Sequence, residues 1–124
     1  MRVIFRVIFL LFIVSCGQDY NSNYFDAQKF KSGIDRTTPA GERFYNAFNV
    51  IQEKCISCHL GYHNSYSKYL TDADWKAAGL VKASDFAGSS IIQLLKNYGG
   101  TMPLSASNLS STEIETLRLW IENL

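Results

Sequence analysis

The apolar residues of this chain recur mostly at spacings of three and four, the period of an α-helix that buries one face. A short apolar run at residues 7–14 is followed by a polar stretch, up to about residue 38, that has no sustained period. From residue 39 onward the spacing predicts four short helices, and no segment has the alternation of a half-buried strand. The pattern therefore predicts an all-α fold.

The first predicted helix begins at Thr38 and Pro39, because a hydroxyl cap followed by a proline is a common helix start. One apolar stripe follows at spacings of four, three and four, and it consists of Phe44, Phe48, Ile51 and Cys55. We expect this helix to continue into residues 55–59, so that its apolar face ends there.

Two further helices carry capping residues at their starts. One is predicted at residues 71–78, with a threonine cap, Asp74 at the capping-box position and Gly79 as its stop. The last helix opens with a capping box formed by Ser110 and Glu113. Its predicted buried side consists of Ile114, Leu117, Trp120, Ile121 and Leu124.

The third predicted helix lies between these two. It begins at Ser89 or Ser90 and ends at the pair Gly99 and Gly100. Its predicted apolar side consists of Ile91, Ile92, Leu94, Leu95 and Tyr98. The glycine stop brings the chain to Met102.

The N-terminal residues have the features of an export signal. Arg2 and Arg6 precede the apolar run at residues 7–14, which is too short to span a bilayer. The run closes with Ile-Val-Ser-Cys at residues 13–16, which resembles the cleavage box of bacterial lipoproteins. An ordinary secretory signal with an unrelated cysteine is the alternative.

Cleavage at this box would leave Cys16 as the first residue, with lipid attached to it. We predict that residues 1–15 form the signal peptide and that residues 16–40 form a lipidated, flexible tether. The predicted location is the periplasm or cell envelope, where the N-terminal lipid anchors the chain to a membrane.

Composition excludes one class of partner. The chain has 12 Lys and Arg against 11 Asp and Glu, which gives a formal charge of +1. Loss of Arg2 and Arg6 with the signal leaves ten basic residues against eleven acidic ones, a net charge of −1. Because there is no basic patch, we do not expect the protein to bind nucleic acid.

The most specific chemistry lies in Cys-Ile-Ser-Cys-His at residues 55–59. This is the attachment sequence of c-type haem, in which Cys55 and Cys58 bond the two vinyl groups and His59 binds the iron. Two alternatives stay open. A dithiol redox pair needs a strand-loop-helix setting, and no strand is predicted before Cys55. A zinc site would use His63 as its fourth ligand, although four ligands within nine residues are unusually crowded.

Met102 is the only methionine apart from the initiator. It follows a glycine pair and precedes a proline, so we expect it in a loop and not on the apolar face of a helix. A thioether in this loop can bind the open face of a haem iron. His63 is an alternative sixth ligand, but it is too near His59 in sequence to reach the opposite face easily.

Three tyrosines after His59 have helical spacing and are predicted to pack as pocket wall: Tyr62, Tyr66 and Tyr69.

Residues 41–124 resemble the small single-haem cytochrome c domains of bacteria. The segment at residues 55–59 corresponds to the family's attachment motif, and Met102 with the proline after it corresponds to the distal Met-Pro. The resemblance implies an all-α, cytochrome c-like fold of about four short helices around one covalently attached heme c, with His59 and Met102 as iron ligands. It also implies that the first helix crosses the last one at the small residue Ala47.

The resemblance implies electron transfer as the activity. Two strong-field ligands, His59 and Met102, leave the iron no vacant site, which favours an electron carrier over an enzyme and predicts no small-molecule substrate. The expected partners are redox proteins and, through Cys16, the membrane. Two other classes stay open: a haem sensor or peroxidase-like enzyme with a displaceable distal methionine, and a non-haem interaction or metal-binding lipoprotein.

Overall fold

The computed structural model describes residues 33–59, 66–104 and 106–124. These residues form four α-helices: α1 at Pro39–Ile51, α2 at Asp72–Ala77, α3 at Ser90–Gln93 and α4 at Ser111–Glu122. Short turns of other helix types complete the regular structure: a π-helical turn at Gln52–Ile56 and 3₁₀ turns at Tyr66–Lys68 and Lys96–Tyr98. No strand occurs within these residues, so the all-α prediction is confirmed.

Some predictions fall on parts of the chain that lie outside the described residues. They concern the signal peptide, the lipidated Cys16 with most of the tether, and the loop at residues 60–65 that contains Tyr62 and His63. Among the helices that are described, none has the length and apolar character that crossing a membrane requires.

Helix α1 begins as its sequence predicts. Thr38 is the N-cap, and its hydroxyl accepts a hydrogen bond from the Gly41 N–H at 3.0 Å. The buried residues of α1 are Phe44, Ala47, Phe48 and Ile51. After Ile51 the α-helix widens into the π-helical turn, which carries the chain into the cysteine segment. Such turns are rare and occur often at functional sites.

The residues that precede α1 pack against the domain. Ile34 is buried and belongs to the hydrophobic core. The Arg36 guanidinium forms an ion pair with Glu42 at 2.9 Å and lies over the Tyr45 ring, 3.9 Å from its centroid. These contacts connect residues 33–38 to the first turns of α1.

Helix α4 carries the predicted capping box. The Ser110 hydroxyl accepts from the Glu113 N–H at 3.3 Å, and the Glu113 carboxylate accepts from the Ser110 N–H at 2.7 Å. The buried residues of α4 are Leu117, Trp120 and Ile121, and the partly buried residues packed on the core include Ile114 and Leu124. The predicted apolar face of this helix is therefore confirmed.

Helices α1, α2 and α4 meet around aromatic side chains. Helix α1 packs against α4, where Ala47 is fully buried and the Phe44 and Trp120 ring centroids lie 5.5 Å apart. The Trp120 indole N–H donates to the Asp72 carboxylate at 2.8 Å, and its ring meets Trp75 edge-on at 5.7 Å. These contacts attach the short helix α2 to α4, which itself packs on α1.

Helix α2 follows its prediction closely. Thr71 and Asp74 form both hydrogen bonds of a capping box, and Gly79 adopts the left-handed backbone, with φ at 69°, just after the helix ends. Trp75 is fully buried, and its indole N–H donates to the Tyr69 carbonyl at 3.1 Å. The hydroxyl and backbone hydrogen bonds from Thr71 lower the pKa of Asp74 against a smaller opposing effect of burial.

The prediction of one continuous third helix is wrong. Helix α3 ends after Ser90–Gln93, and Leu95 then adopts an extended backbone with ψ at 140°. The reason is that two carbonyls form hydrogen bonds outside the helix. The Leu94 carbonyl accepts from the Met102 N–H at 2.8 Å, and the Leu95 carbonyl accepts from the Gly100 N–H at 2.9 Å. Hydrogen bonds to the returning loop therefore replace those of a longer helix.

The break in the third helix changes which of its side chains are buried. Ile91, Ile92 and Leu95 are buried as predicted, but Leu94 is 44% exposed and Tyr98 is 47% exposed. The predicted apolar stripe assumes one unbroken helix, in which residues three and four positions apart share a face. The extended backbone at Leu95 interrupts that spacing, so the residues on its two sides no longer share one buried face.

Candidate cofactor site

A pocket in the described part of the chain brings the two predicted ligand segments together. It has a volume of about 430 Å³, within the range typical of small-molecule and cofactor sites. Cys55, Cys58 and His59 contribute to its lining, and so does Met102, which is distant from them in sequence. The other lining residues are Glu53, Lys54, Ser57, Tyr66, Leu80, Leu94, Pro103, Leu104 and Ala106.

The cysteine segment forms a tight turn at the end of the π-helical turn. The Cys55 carbonyl accepts hydrogen bonds from the N–H of Cys58 at 3.2 Å and of His59 at 3.1 Å. The two thiols are not joined in a disulfide; Cys55 is half-buried and Cys58 is exposed. The turn therefore presents two thiols and an imidazole to the same pocket.

The environment of Cys55 bears on the dithiol alternative. Burial, and secondarily the neighbouring Cys58, raises the pKa of the Cys55 thiol to about 11. Cysteines that act in dithiol exchange usually have a lowered pKa, because the thiolate is the attacking form. The Cys55 thiol is protonated at neutral pH, which disfavours dithiol redox chemistry at this site.

The zinc alternative needs three or four ligands that converge on one point. Within residues 33–59, 66–104 and 106–124, no three His, Cys, Asp or Glu side chains are grouped so that they could hold a metal ion. The sulfur and imidazole groups at this pocket are two thiols, one imidazole and, from another segment, one thioether; the carboxylate of Glu53 also lines it. Such a set suits a prosthetic group that supplies most of the metal's ligands itself.

The backbone of Met102 is held on both sides. Its N–H donates to the Leu94 carbonyl at 2.8 Å, and its carbonyl accepts from the Lys96 N–H at 2.7 Å. These two bonds form an isolated parallel bridge between Leu95 and Met102. We call this pair of bonds the Met102 clamp; it fixes the methionine backbone at the edge of the pocket.

The glycine pair before Met102 is required by the loop's shape. Gly99 has φ at 86°, in the left-handed region that favours glycine. A Cβ on Gly100 would collide with the carbonyl groups of Leu94 and Gln93. Because these are main-chain atoms, a side chain at position 100 would displace the Leu94 carbonyl, which belongs to the Met102 clamp.

His59 makes a contact that the sequence does not predict. Its imidazole lies parallel to the Tyr66 ring, with 2° between the planes and 4.3 Å between the centroids. The Tyr66 N–H also donates to the His59 carbonyl at 3.2 Å. The spacing of the tyrosines predicts packing only, and no local pattern identifies which ring would meet the histidine.

A salt bridge connects the cysteine segment to the last helix. The Lys54 ammonium lies 3.2 Å from the Glu113 carboxylate, and the two side chains are only 14% and 20% exposed. Burial raises the pKa of Glu113, but hydrogen bonds from Ser110 and Lys54 outweigh that effect and lower it overall. Glu113 thus caps α4 and, at the same time, anchors the residue next to Cys55.

Apolar side chains cover much of the rest of the pocket wall. They are Leu80, Leu94, Pro103, Leu104 and Ala106. Leu94 is 44% exposed and Leu104 is 67% exposed, although full burial of a leucine side chain stabilises a protein by roughly 1.5–3 kcal/mol. A flat apolar ligand that covered both leucines would gain part of this free energy.

Comparison with protein-family models, with curated proteins and with solved structures found no match to this chain.

Proposed function

We propose that this protein is a membrane-tethered c-type cytochrome that carries single electrons through one covalently bound haem. One observation carries the proposal: the residues of the attachment motif, Cys55, Cys58 and His59, line the same pocket as Met102. If the Cys-x-x-Cys-His sequence were a coincidence, nothing would require it to line the same largely apolar pocket as Met102, the chain's one methionine besides the initiator.

The residues present fit a heme c. Cys55 and Cys58 would hold it through thioether bonds to its vinyl groups, and His59 and Met102 would be the axial ligands. The apolar wall would exclude water from the ring. When bound, this group supplies a reversible one-electron change at iron. The chain's own part is to keep the two axial side chains in place through that change.

The carrier function is favoured over a sensor or a peroxidase-like enzyme by the Met102 clamp. A displaceable methionine would be expected on a segment with few backbone restraints. Both the N–H and the carbonyl of Met102 are instead hydrogen-bonded to residues around Leu95. Persistent ligation would leave no open position for a substrate, and electrons would cross at the edge of the ring.

Two further features support the proposal. The contact between α1 and α4, with Ala47 buried in α1, agrees with the helix crossing that the family resemblance implies. The Cys16 box would tether the domain to a membrane in the periplasm or cell envelope, where redox proteins would be its partners. The lipid, the partners and the cytochrome c-like fold are parts of the same proposal.

The test is expression of the full chain with haem-maturation machinery. We expect the denatured protein to keep an added mass of one haem, and the folded ferric protein to have a low-spin absorption spectrum. A Cys55→Ser, Cys58→Ser double variant is the matched control and should lose the covalent mass. A purified wild-type protein whose mass corresponds to two free thiols would refute the proposal.

A further inference from the structure

We infer that Tyr66 is a positioning residue that fixes the rotation of the His59 imidazole about its bond to the haem iron. The inference rests on the proposed function, because it concerns an iron-bound His59. It adds a residue that the attachment motif does not contain.

The contact between the two rings is unusually specific. The planes of His59 and Tyr66 are parallel within 2°, at a centroid distance of 4.3 Å, so rotation of the imidazole about its long axis would drive one edge into the phenol ring. The backbone bond from the Tyr66 N–H to the His59 carbonyl, at 3.2 Å, keeps the two residues in register. The stack therefore restricts the imidazole to one plane.

Tyr66 can impose this restriction because other rings hold it from behind. It is 4% exposed, and its ring lies 5.2 Å from Trp75 and 6.2 Å from Tyr69. Trp75 is in turn fixed by its hydrogen bond to the Tyr69 carbonyl and by its edge contact with Trp120. A side chain with this many neighbours cannot rotate away to follow a moving histidine.

The orientation of an axial imidazole has an electronic consequence. Its π orbital overlaps with whichever iron d orbital lies in the matching direction, so the plane of the ring sets how unpaired spin spreads over the porphyrin in the ferric state. The shifts of the four haem methyl protons report that spread directly. A fixed His59 plane therefore predicts one sharp methyl pattern.

The test compares three variants of the haem-loaded protein by NMR in the ferric state and by low-temperature EPR. Tyr66→Leu removes the stacked ring and should change the methyl pattern and shift or broaden the g values. Tyr66→Phe keeps the ring and should retain the wild-type pattern. Phe44→Leu is the matched control, because Phe44 is a buried core ring that contacts Phe48 and Trp120 and does not line the pocket; it should lower stability but leave the methyl pattern unchanged.

An unchanged methyl pattern in Tyr66→Leu would overturn the inference, as would an equal change in the Phe44→Leu control. If Tyr66→Leu yields no haem-loaded protein, NMR of the ferrous wild-type protein tests the inference instead. Nuclear Overhauser contacts between the Tyr66 ring and the His59 side chain support the stack, and their absence overturns it. A wild type without covalent haem overturns the proposed function together with this inference, whereas a low-spin haem protein with an unresponsive Tyr66→Leu variant overturns this inference alone.

Discussion

In the proposed haem protein, replacement of Gly100 by alanine should weaken the bond between the Met102 sulfur and the iron, although Gly100 contacts neither. A Cβ at this position collides with the carbonyls of Leu94 and Gln93, and the Leu94 carbonyl cannot move without disturbing the hydrogen bond that it accepts from Met102. The nearest bonds at risk are those from the Met102 N–H to the Leu94 carbonyl and from the Gly100 N–H to the Leu95 carbonyl, at 2.8 and 2.9 Å. Relief of the collision therefore breaks one of the two bonds of the Met102 clamp and a neighbouring bond of the same loop.

The size of the effect follows from these two bonds. Each backbone hydrogen bond contributes about 0.5–1.5 kcal/mol net, so their loss should cost about 1–3 kcal/mol. This loss of free energy destabilises the form of the protein in which Met102 binds the iron. An added ligand that displaces the methionine should accordingly bind about 5- to 150-fold more tightly, because about 1.4 kcal/mol is tenfold in affinity.

The assay is titration of the ferric protein with imidazole, followed by the change in its absorption spectrum, beside urea unfolding. Gly79→Ala is the control, because Gly79 also has a left-handed φ, 69°, but a Cβ there meets open space and lies outside the clamp. It should cost about 1–2 kcal/mol of stability from backbone strain and leave imidazole affinity unchanged. Equal imidazole affinities in Gly100→Ala and the wild type would show that the clamp does not hold the ligand.

Three further predictions test other parts of the proposal. Met102→Ala should abolish the weak near-infrared band of iron-sulfur ligation and lower the reduction potential, since a thioether favours ferrous iron; an unchanged spectrum would point to another sixth ligand. Cys16→Ser should move the protein from the membrane to the soluble fraction, and continued retention would contradict the lipid anchor. Because the pKa of Glu113 is lowered in the folded protein, its carboxylate stabilises the fold above the ordinary pKa of 4.5, and this stability is lost as the pH falls through the folded pKa. In urea unfolding, Glu113→Gln should therefore lose less free energy of unfolding between pH 6 and pH 3 than the wild type. An equal loss would contradict the stabilising role of the Glu113 carboxylate.

Local chemistry explains what could be predicted of the fold. Each capping box needs only residues three positions apart, so Thr71 with Asp74 and Ser110 with Glu113 mark helix starts that hold in the structure. The Thr38 cap of α1 is predictable for the same reason. The haem hypothesis likewise depends on a five-residue motif and on a methionine that comes two residues after a glycine pair and directly before a proline.

Long-range contacts explain what could not be predicted. The third helix breaks because the loop around Met102 returns to the carbonyls of Leu94 and Leu95, and no local rule shows that those carbonyls have partners elsewhere. The same applies to the bond between Lys54 and Glu113, which joins two helix ends that are far apart in sequence. At residues 94 and 95 the free energy of the tertiary hydrogen bonds outweighs the local helix propensity, and the salt bridge joins residues that no local rule relates.

The sequence by itself determined which side chains the haem hypothesis names, because thiols, an imidazole and a thioether have the same chemistry wherever they lie. It also determined most helix starts, through side chains within one turn of the backbone they cap. Only the tertiary structure decided that Met102 lines the same pocket as Cys55 and His59, and that Tyr66 is the ring stacked on the histidine. Those arrangements depend on how α1, α2 and α4 pack together, and packing is a property of the whole set of buried surfaces.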